Sequence, residues 1–208
     1  MEIIQLNNKN RTRVLKKTVK YIKDGKIVVF PTDTVYGIIC DATNKKATNL
    51  IFKIKKRPYK KFFPVFVKDI KMAKKIAEID EIQERFLKKF WPGKITVILK
   101  RKSQKKVGIS TKTSKLLKIY GVNKKTIALR VPNYKSLNLL LKKINTPLVQ
   151  TSANISGKKT PKSAKEIMKI FKNKKFQPHF VIDAGRLKNA KQSKLIDLTL
   201  SPPKILRP

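Results

Sequence analysis

Short runs of β-branched and aromatic residues alternate along this chain with segments whose apolar residues recur at helical spacing, and that alternation limits the fold more than any other feature. KIVVF, ITVILK, TIALRV, TPLVQTS, HFVID, KLIDLT and PKILRP read as strands, and FFPVFV as another with a proline near its start. Residues 10–23 carry Val14, Thr18, Tyr21 and Ile22 on one helical face, with Gly25 as the C-cap. Ala47, Leu50, Ile51 and Ile54 define a second helix that ends near Arg57–Pro58. Asp69 is placed to cap a helix over IKMAKKIAEI and Asp80 one over EIQERFLKKFW, after which Pro92–Gly93 breaks the chain. YKSLNLLLKKI, and KSAKEIMKIFK behind a Ser163 cap, complete the helices; a polar, Gly-containing stretch spans residues 101–114. Strands and helices interleaved in this way predict an α/β protein with a mixed sheet. No repeat, linker or low-complexity tail interrupts the pattern, so residues 1–208 read as one domain.

Charge is the second constraint. Against 12 acidic residues stand 52 basic ones, a formal net charge of +40. Such a field favours anionic substrates, nucleic acid or anionic lipid. Only 8 of the basic residues are arginine, and the lysines are spread along the whole chain. That distribution reads first as a solvated lysine coat, with specific nucleic-acid binding as the lesser option. No run approaches the ~20 apolar residues of a membrane span. The opening MEIIQLNNKN lacks the features of a secretory signal. One cysteine cannot form an internal disulfide, which fits a cytoplasmic protein.

Several chemistries are excluded. The single histidine, His179, begins an apolar strand and reads as structural, so no Ser-His-Asp or Cys-His arrangement exists. Cys40 reads as a small buried hydrophobe. The acids lie singly, apart from Asp80, Glu81 and Glu84 at a helix start, so no protein-built metal site is expected. Neither GxxxxGK[ST] nor GxGxxG occurs.

Four polar clusters remain, each at the end of an expected element. PTDTVYG interrupts apolar sequence after KIVVF, and there Asp33 either orients neighbouring hydroxyls or forms the turn. KIKKRP brings Lys55 and Arg57 to a helix end. TIALRVP puts Thr126, Ala128 and Arg130 on one face of a strand. QTSANISGKKTP is a loop of hydroxyls and amides between a strand and a helix. Together they offer hydroxyls, amides, Lys and Arg with almost no carboxylate, a lining suited to phosphates.

FPTDTVYGIICDA, KIKKRP, FWPGKITVILK, ALRVP, VQTSANISGKKTP and the closing QSKLIDLTLSPPKILRP, in that order, resemble the YrdC/Sua5 family of threonylcarbamoyl-AMP synthases. The likeness runs from about residue 25 to the C-terminus, and with the sequence ending at Pro208 it is to the short, single-domain form. It implies a twisted mixed sheet flanked by helices around a large basic cavity. It also implies synthesis of L-threonylcarbamoyladenylate from L-threonine, bicarbonate and ATP, with release of pyrophosphate. A separate complex would then transfer the threonylcarbamoyl group to tRNA. By position, the resemblance assigns Lys55, Arg57, Lys61, Thr126, Ser152, Asn154, Thr160 and Arg207 to ATP, with Lys55 and Arg57 best placed to stabilise the transition state. It assigns Thr34, Phe66, Arg130, Gln150 and Ser193 to threonine, with Arg130 as the partner of its carboxylate. Mg²⁺ would arrive with ATP. Gln150 stands where a small residue is expected, and Phe66 where some members carry a polar one. Two other readings stay open: carbamoyl-adenylate synthesis, and an RNA-binding module on the same basic concave surface. Non-specific RNA binding follows from charge in any case.

Overall fold

In the computed structural model, which describes residues 1–102, 117–187 and 191–208, the expected strands all enter one ten-stranded sheet. In chain order the elements are β1 (Glu2–Gln5), α1 (Arg11–Lys23), β2 (Val28–Phe30), β3 (Gly37–Asp41), α2 (Lys45–Lys55), β4 (Val65–Phe66), α3 (Ile70–Lys74) and α4 (Glu81–Phe90). There follow β5 (Ile95–Lys100), β6 (Thr126–Arg130), α5 (Lys135–Ile144), β7 (Leu148–Ser152), α6 (Ala164–Phe171), β8 (Phe180–Asp183), β9 (Lys194–Asp197) and β10 (Lys204–Arg207). The strand order is β1-β8-β2-β3-β7-β4-β6-β5-β9-β10. Pairs β1–β8, β2–β8, β4–β6 and β5–β9 are parallel and the others antiparallel, so the sheet is mixed, as its alternating sequence predicts.

Helix starts follow the expected chemistry. The Asp69 carboxylate accepts from Met72 N at 2.7 Å, Ser163 Oγ accepts from Glu166 N at 3.3 Å, and Asp80 forms a reciprocal capping box with Gln83. Three features differ from expectation. First, two strands were not anticipated: β1, Glu2–Gln5, lies parallel to Phe180–Asp183, and β3, Gly37–Asp41, pairs antiparallel with β2 and β7. Secondly, α3 stops at Lys74 rather than running to Ile79, because the next residues join a strand end instead. Ala77 bridges Arg101, and Glu78 N donates to Lys100 O at 2.8 Å. Thirdly, β4 shrinks to two residues behind Pro64, which has no N–H to give a ladder. Most of the polar stretch expected at 101–114 lies outside the described residues.

Two apolar cores sit on opposite faces of the sheet, sorted by the period-two alternation of each strand. Val28 and Phe30 of β2, Ile39, Phe66, Leu148 and Phe180 face α1 and α5, which pack side by side over them. Ile27, Val29, Ile38, Val65, Val149 and Leu129 belong to the other core, with Ile51 of α2 and Ile167 and Phe171 of α6. The α1/α5 layer covers only part of its face. Following the register outward from Phe66 and Leu148, the same face continues through Arg130, Ala128 and Thr126 of β6, then Ile98 and Thr96 of β5, then Leu195 of β9. On β7 it continues through Gln150 and Ser152. No helix among the described residues packs over that half, and it is the floor of the site. None is long and apolar enough to cross a membrane.

Candidate functional site

The four polar clusters converge over this bare half-face. They enclose a cavity of about 410 Å³, bounded by the Thr34–Val35 turn, the end of α2, the 150–160 loop and the Gln192–Ser193 approach to β9, with Arg207 of β10. Beside it lies a slot of about 290 Å³, lined by Phe62, Phe63, Ile98, Val122, Ala128 and Leu195 with Thr126 among them. Arg57, Pro64 and Arg207 border both. The single large cavity expected from the sequence is therefore, among the described residues, two adjoining compartments, one polar and one mainly apolar. Among the described residues no carboxylate lines either. Larger hollows, of about 640 Å³ beside Met1 and His179 and about 740 Å³ beside α3, gather lysines without this convergence of hydroxyls and amides.

At the polar centre, α2 ends when Lys56 turns left-handed with φ 49°, leaving its own side chain in solvent. Lys55 points inward and is only 2% exposed. Its ammonium donates to Ser152 O at 2.7 Å and Asn154 Oδ1 at 2.8 Å, and Ser152 Oγ donates to the same Oδ1 at 2.7 Å. Asn154 Nδ2 in turn donates to Lys158 O. Burial, and then the neighbouring Arg57, lower the Lys55 pKa to about 7. Arg57 is fixed by donation from Nε to Lys61 O at 2.7 Å and from Nη2 to Phe62 O at 2.9 Å, with its guanidinium over the Phe63 ring. Arg207 donates to Ser193 O at 2.8 Å and Gln192 Oε1 at 2.6 Å, while Ser193 Oγ lies 2.8 Å from Thr96 Oγ1. Burial disfavours the charge on both arginines. The cluster is thus cationic and under-compensated by protein groups, and a polyanion would reverse these penalties.

At the other end, Thr32 shapes the turn: its hydroxyl accepts from Thr34 N at 3.0 Å and Val35 N at 3.2 Å and donates to Val35 O at 2.7 Å. Thr34 Oγ1 then accepts from Arg130 Nη1 at 3.2 Å. Arg130 Nε donates to Gly93 O at 2.8 Å, and Nη2 lies 2.7 Å from Asp33 Oδ2. Burial lowers the Arg130 pKa, and Asp33 opposes that shift.

A sequence profile of the Sua5/YciO/YrdC family, described under telomere recombination, matches residues 20–208. The chain belongs to the Sua5/YciO/YrdC family. A putative threonylcarbamoyl-AMP synthase of Methanocaldococcus jannaschii is 36% identical over 198 residues, 95% of this chain and 86% of that one. The threonylcarbamoyl-AMP synthase of Pyrococcus abyssi is 33% identical over 189 residues, 90% of this chain and 52% of that one; this chain spans about half the length of that relative. Among solved structures, Pyrococcus abyssi Sua5 complexed with L-threonine superposes with a TM-score of 0.85 at 31% identity, covering 100% of this chain and 57% of that one.

Of the residues that the family resemblance singles out, the structure brings Thr34, Lys55, Arg57, Lys61, Arg130, Gln150, Ser152, Asn154, Thr160, Ser193 and Arg207 to the polar compartment. Thr126 falls instead in the apolar slot. Phe66 does not reach the cavity: it is 0% exposed within the α1/α5 core, and its ring lies 5.9 Å below the Arg130 guanidinium. As the last core residue before the bare half-face, it supports Arg130 and offers no surface to a ligand. Asp33 was left open by the sequence and here is a partner of Arg130. Ser156, Lys158 and Gln192, also at the cavity, were missed. Their positions within ANISGKKT and QSK were the available signal.

Proposed function

We propose that this Sua5/YciO/YrdC-family chain synthesises L-threonylcarbamoyladenylate from L-threonine, bicarbonate and ATP, the first step of threonylcarbamoyladenosine formation in tRNA. The observation that carries the reading is the polar compartment, where Lys55, Arg57, Ser152, Asn154 and Arg207 converge beside an apolar slot, with no carboxylate in the lining among the described residues. The family relatives named as threonylcarbamoyl-AMP synthases, and the Sua5 structure that holds L-threonine, support it.

In this reading the adenine enters the slot against Phe63, Ala128 and Thr126, and the triphosphate lies along Lys55, Arg57, Ser152, Asn154 and Arg207, with Lys61 and Thr160 at the rim. Threonine takes the Thr34, Arg130, Gln150 and Ser193 end. The threonine amine combines with bicarbonate, losing water, to give a carbamate. A carbamate oxygen attacks the α-phosphorus, the bond to the β-phosphate oxygen breaks, and pyrophosphate leaves. The carbamate is already an anionic nucleophile, so the protein's task is to align two anions and stabilise the charge on phosphorus. Lys55 and Arg57 are placed for that. Among the described residues no three His, Cys, Asp or Glu side chains cluster to hold a metal. The hydroxyl and amide lining fits Mg²⁺ carried on the nucleotide and coordinated largely by phosphate and water.

Threonine-dependent pyrophosphate release tests this proposal. The wild-type chain should release pyrophosphate only when threonine, bicarbonate and ATP are all present. Arg57→Ala and Ser152→Ala should raise the ATP requirement by about tenfold or more, the loss of one charge-assisted or hydroxyl contact. Release that is indifferent to threonine would sink the proposal.

A further inference from the structure

The two ends of the polar compartment differ in charge. Arg57 and Arg207 donate only to neutral groups, backbone carbonyls, the Gln192 amide and the Ser193 hydroxyl, so neither has its charge balanced at the expected triphosphate. Of the three arginines in the compartment, Arg130 alone has a carboxylate partner among the described residues. Asp33 Oδ2 lies 2.7 Å from Arg130 Nη2, with the two side chains 6% and 1% exposed. The contact is close but is not aligned as a hydrogen bond, and Asp33 Oδ1 has no partner among the described residues. The pair is therefore held mainly by charge. Its geometry is fixed from three loops: Gly93 O receives Arg130 Nε, Thr34 Oγ1 receives Nη1, and Asp33 Oδ2 also accepts from Asn133 N at 3.0 Å. A turn-forming aspartate has no need to be buried against an arginine.

We infer that Asp33 is a specificity-determining residue that cancels the charge of Arg130 and so restricts this end of the cavity to amino acids without a second carboxylate. The inference rests on the function proposed above and names its substrate class more narrowly. Arg130 can still give its N–H groups to one substrate carboxylate, but its own charge is already balanced by Asp33, and the other guanidinium near this end, Arg207, is held on Ser193 and Gln192. A side-chain carboxylate entering beside Arg130 would meet Asp33 across the width of one guanidinium, in a setting where like charges are weakly screened. Asp33 itself stays behind Arg130 and touches no substrate.

The test is amino-acid selectivity, read as the ratio of kcat/KM for threonine to that for aspartate in pyrophosphate release. Asp33→Asn keeps the side-chain shape and removes the charge, and should lower this ratio by about tenfold or more. Asp33→Glu, which keeps the charge, should retain exclusion of aspartate, and Asp33→Ser serves as a second neutral variant should Asp33→Asn fold poorly. A merely structural role would depress both substrates equally. An unchanged ratio in folded neutral variants, with the wild type active on threonine, overturns the inference and leaves the proposed function standing. A wild type without threonine-dependent release removes both.

Discussion

Lys55 is the residue on which physical chemistry bears most directly. Its amine is ordinary in the unfolded chain and has a pKa of about 7 when buried in the fold. Between those two values the unfolded chain binds more protons than the folded one, so stability rises as pH increases above 7, and below 7 the buried charge is carried at full cost. That cost is on the order of a few kcal/mol. Lys55→Met should flatten the difference in melting temperature between about pH 7 and pH 8, a window below the ordinary Tyr and Cys pKa values. It should also abolish ATP binding. For the wild type, a bound triphosphate draws the proton back onto Lys55, so ATP binding above pH 7 should be accompanied by proton uptake and should weaken as pH rises. Calorimetry in buffers of different ionisation enthalpy measures that uptake directly. Lys55 and Arg57 were legible in the sequence because they precede a helix-ending proline in a short polar motif. Asp33 was not, because an aspartate in a turn reads the same whether it caps a backbone or faces an arginine 97 positions away in the chain. Phe66 was assigned to the threonine end by family position alone, where some members carry a polar residue; how far the α1/α5 layer covers that face was not legible.

At the scale of elements, caps and breaks explain where the site's loops begin. The Pro92–Gly93 turn carries Arg130 on Gly93 O, and Gly93 N donates to Val131 O at 2.9 Å. A Cβ at Gly93 would stand 2.3 Å from the backbone oxygen of Phe90, so the turn must shift. Gly93→Ala should cost about 1–3 kcal/mol of stability, as overpacking does. It should also raise the KM for threonine more than that for ATP, because it moves the Arg130 end alone. Asp80→Ala is the contrasting change. It removes the capping box of α4, far from the cavity lining, and should cost about 1 kcal/mol in denaturant unfolding while leaving both KM values unchanged. Helices and strands were legible from caps and periodicity. The short α3 and the added β1 were not, since both depend on pairing with strands distant in sequence, Ala77 with Arg101 and Glu2–Gln5 with Phe180–Asp183.

For the whole molecule, the deciding feature is a single sheet face that is half covered by α1 and α5 and half bare, with polar loops closing over the bare half. Alternation of strands and helices foretold the class of fold, but which half would stay open depends on the strand order, which composition does not encode. The net charge of +40 acts at the same scale. Because it is spread as exposed lysine, RNA retention should be non-specific. It should fall by orders of magnitude between about 50 and 200 mM salt, with no preference among sequences in a filter-binding assay. ATP use, held by buried groups, should be far less salt-sensitive over that range. The most direct measurement follows the product itself: the chain is incubated with ATP, L-threonine and ¹³C-bicarbonate, and the nucleotides are resolved by mass spectrometry. The account requires an adenylate bearing threonine and one ¹³C atom, formed together with pyrophosphate and absent when threonine is omitted. Conversion of ATP without that labelled adenylate, or its absence from a chain shown to bind ATP, would contradict it.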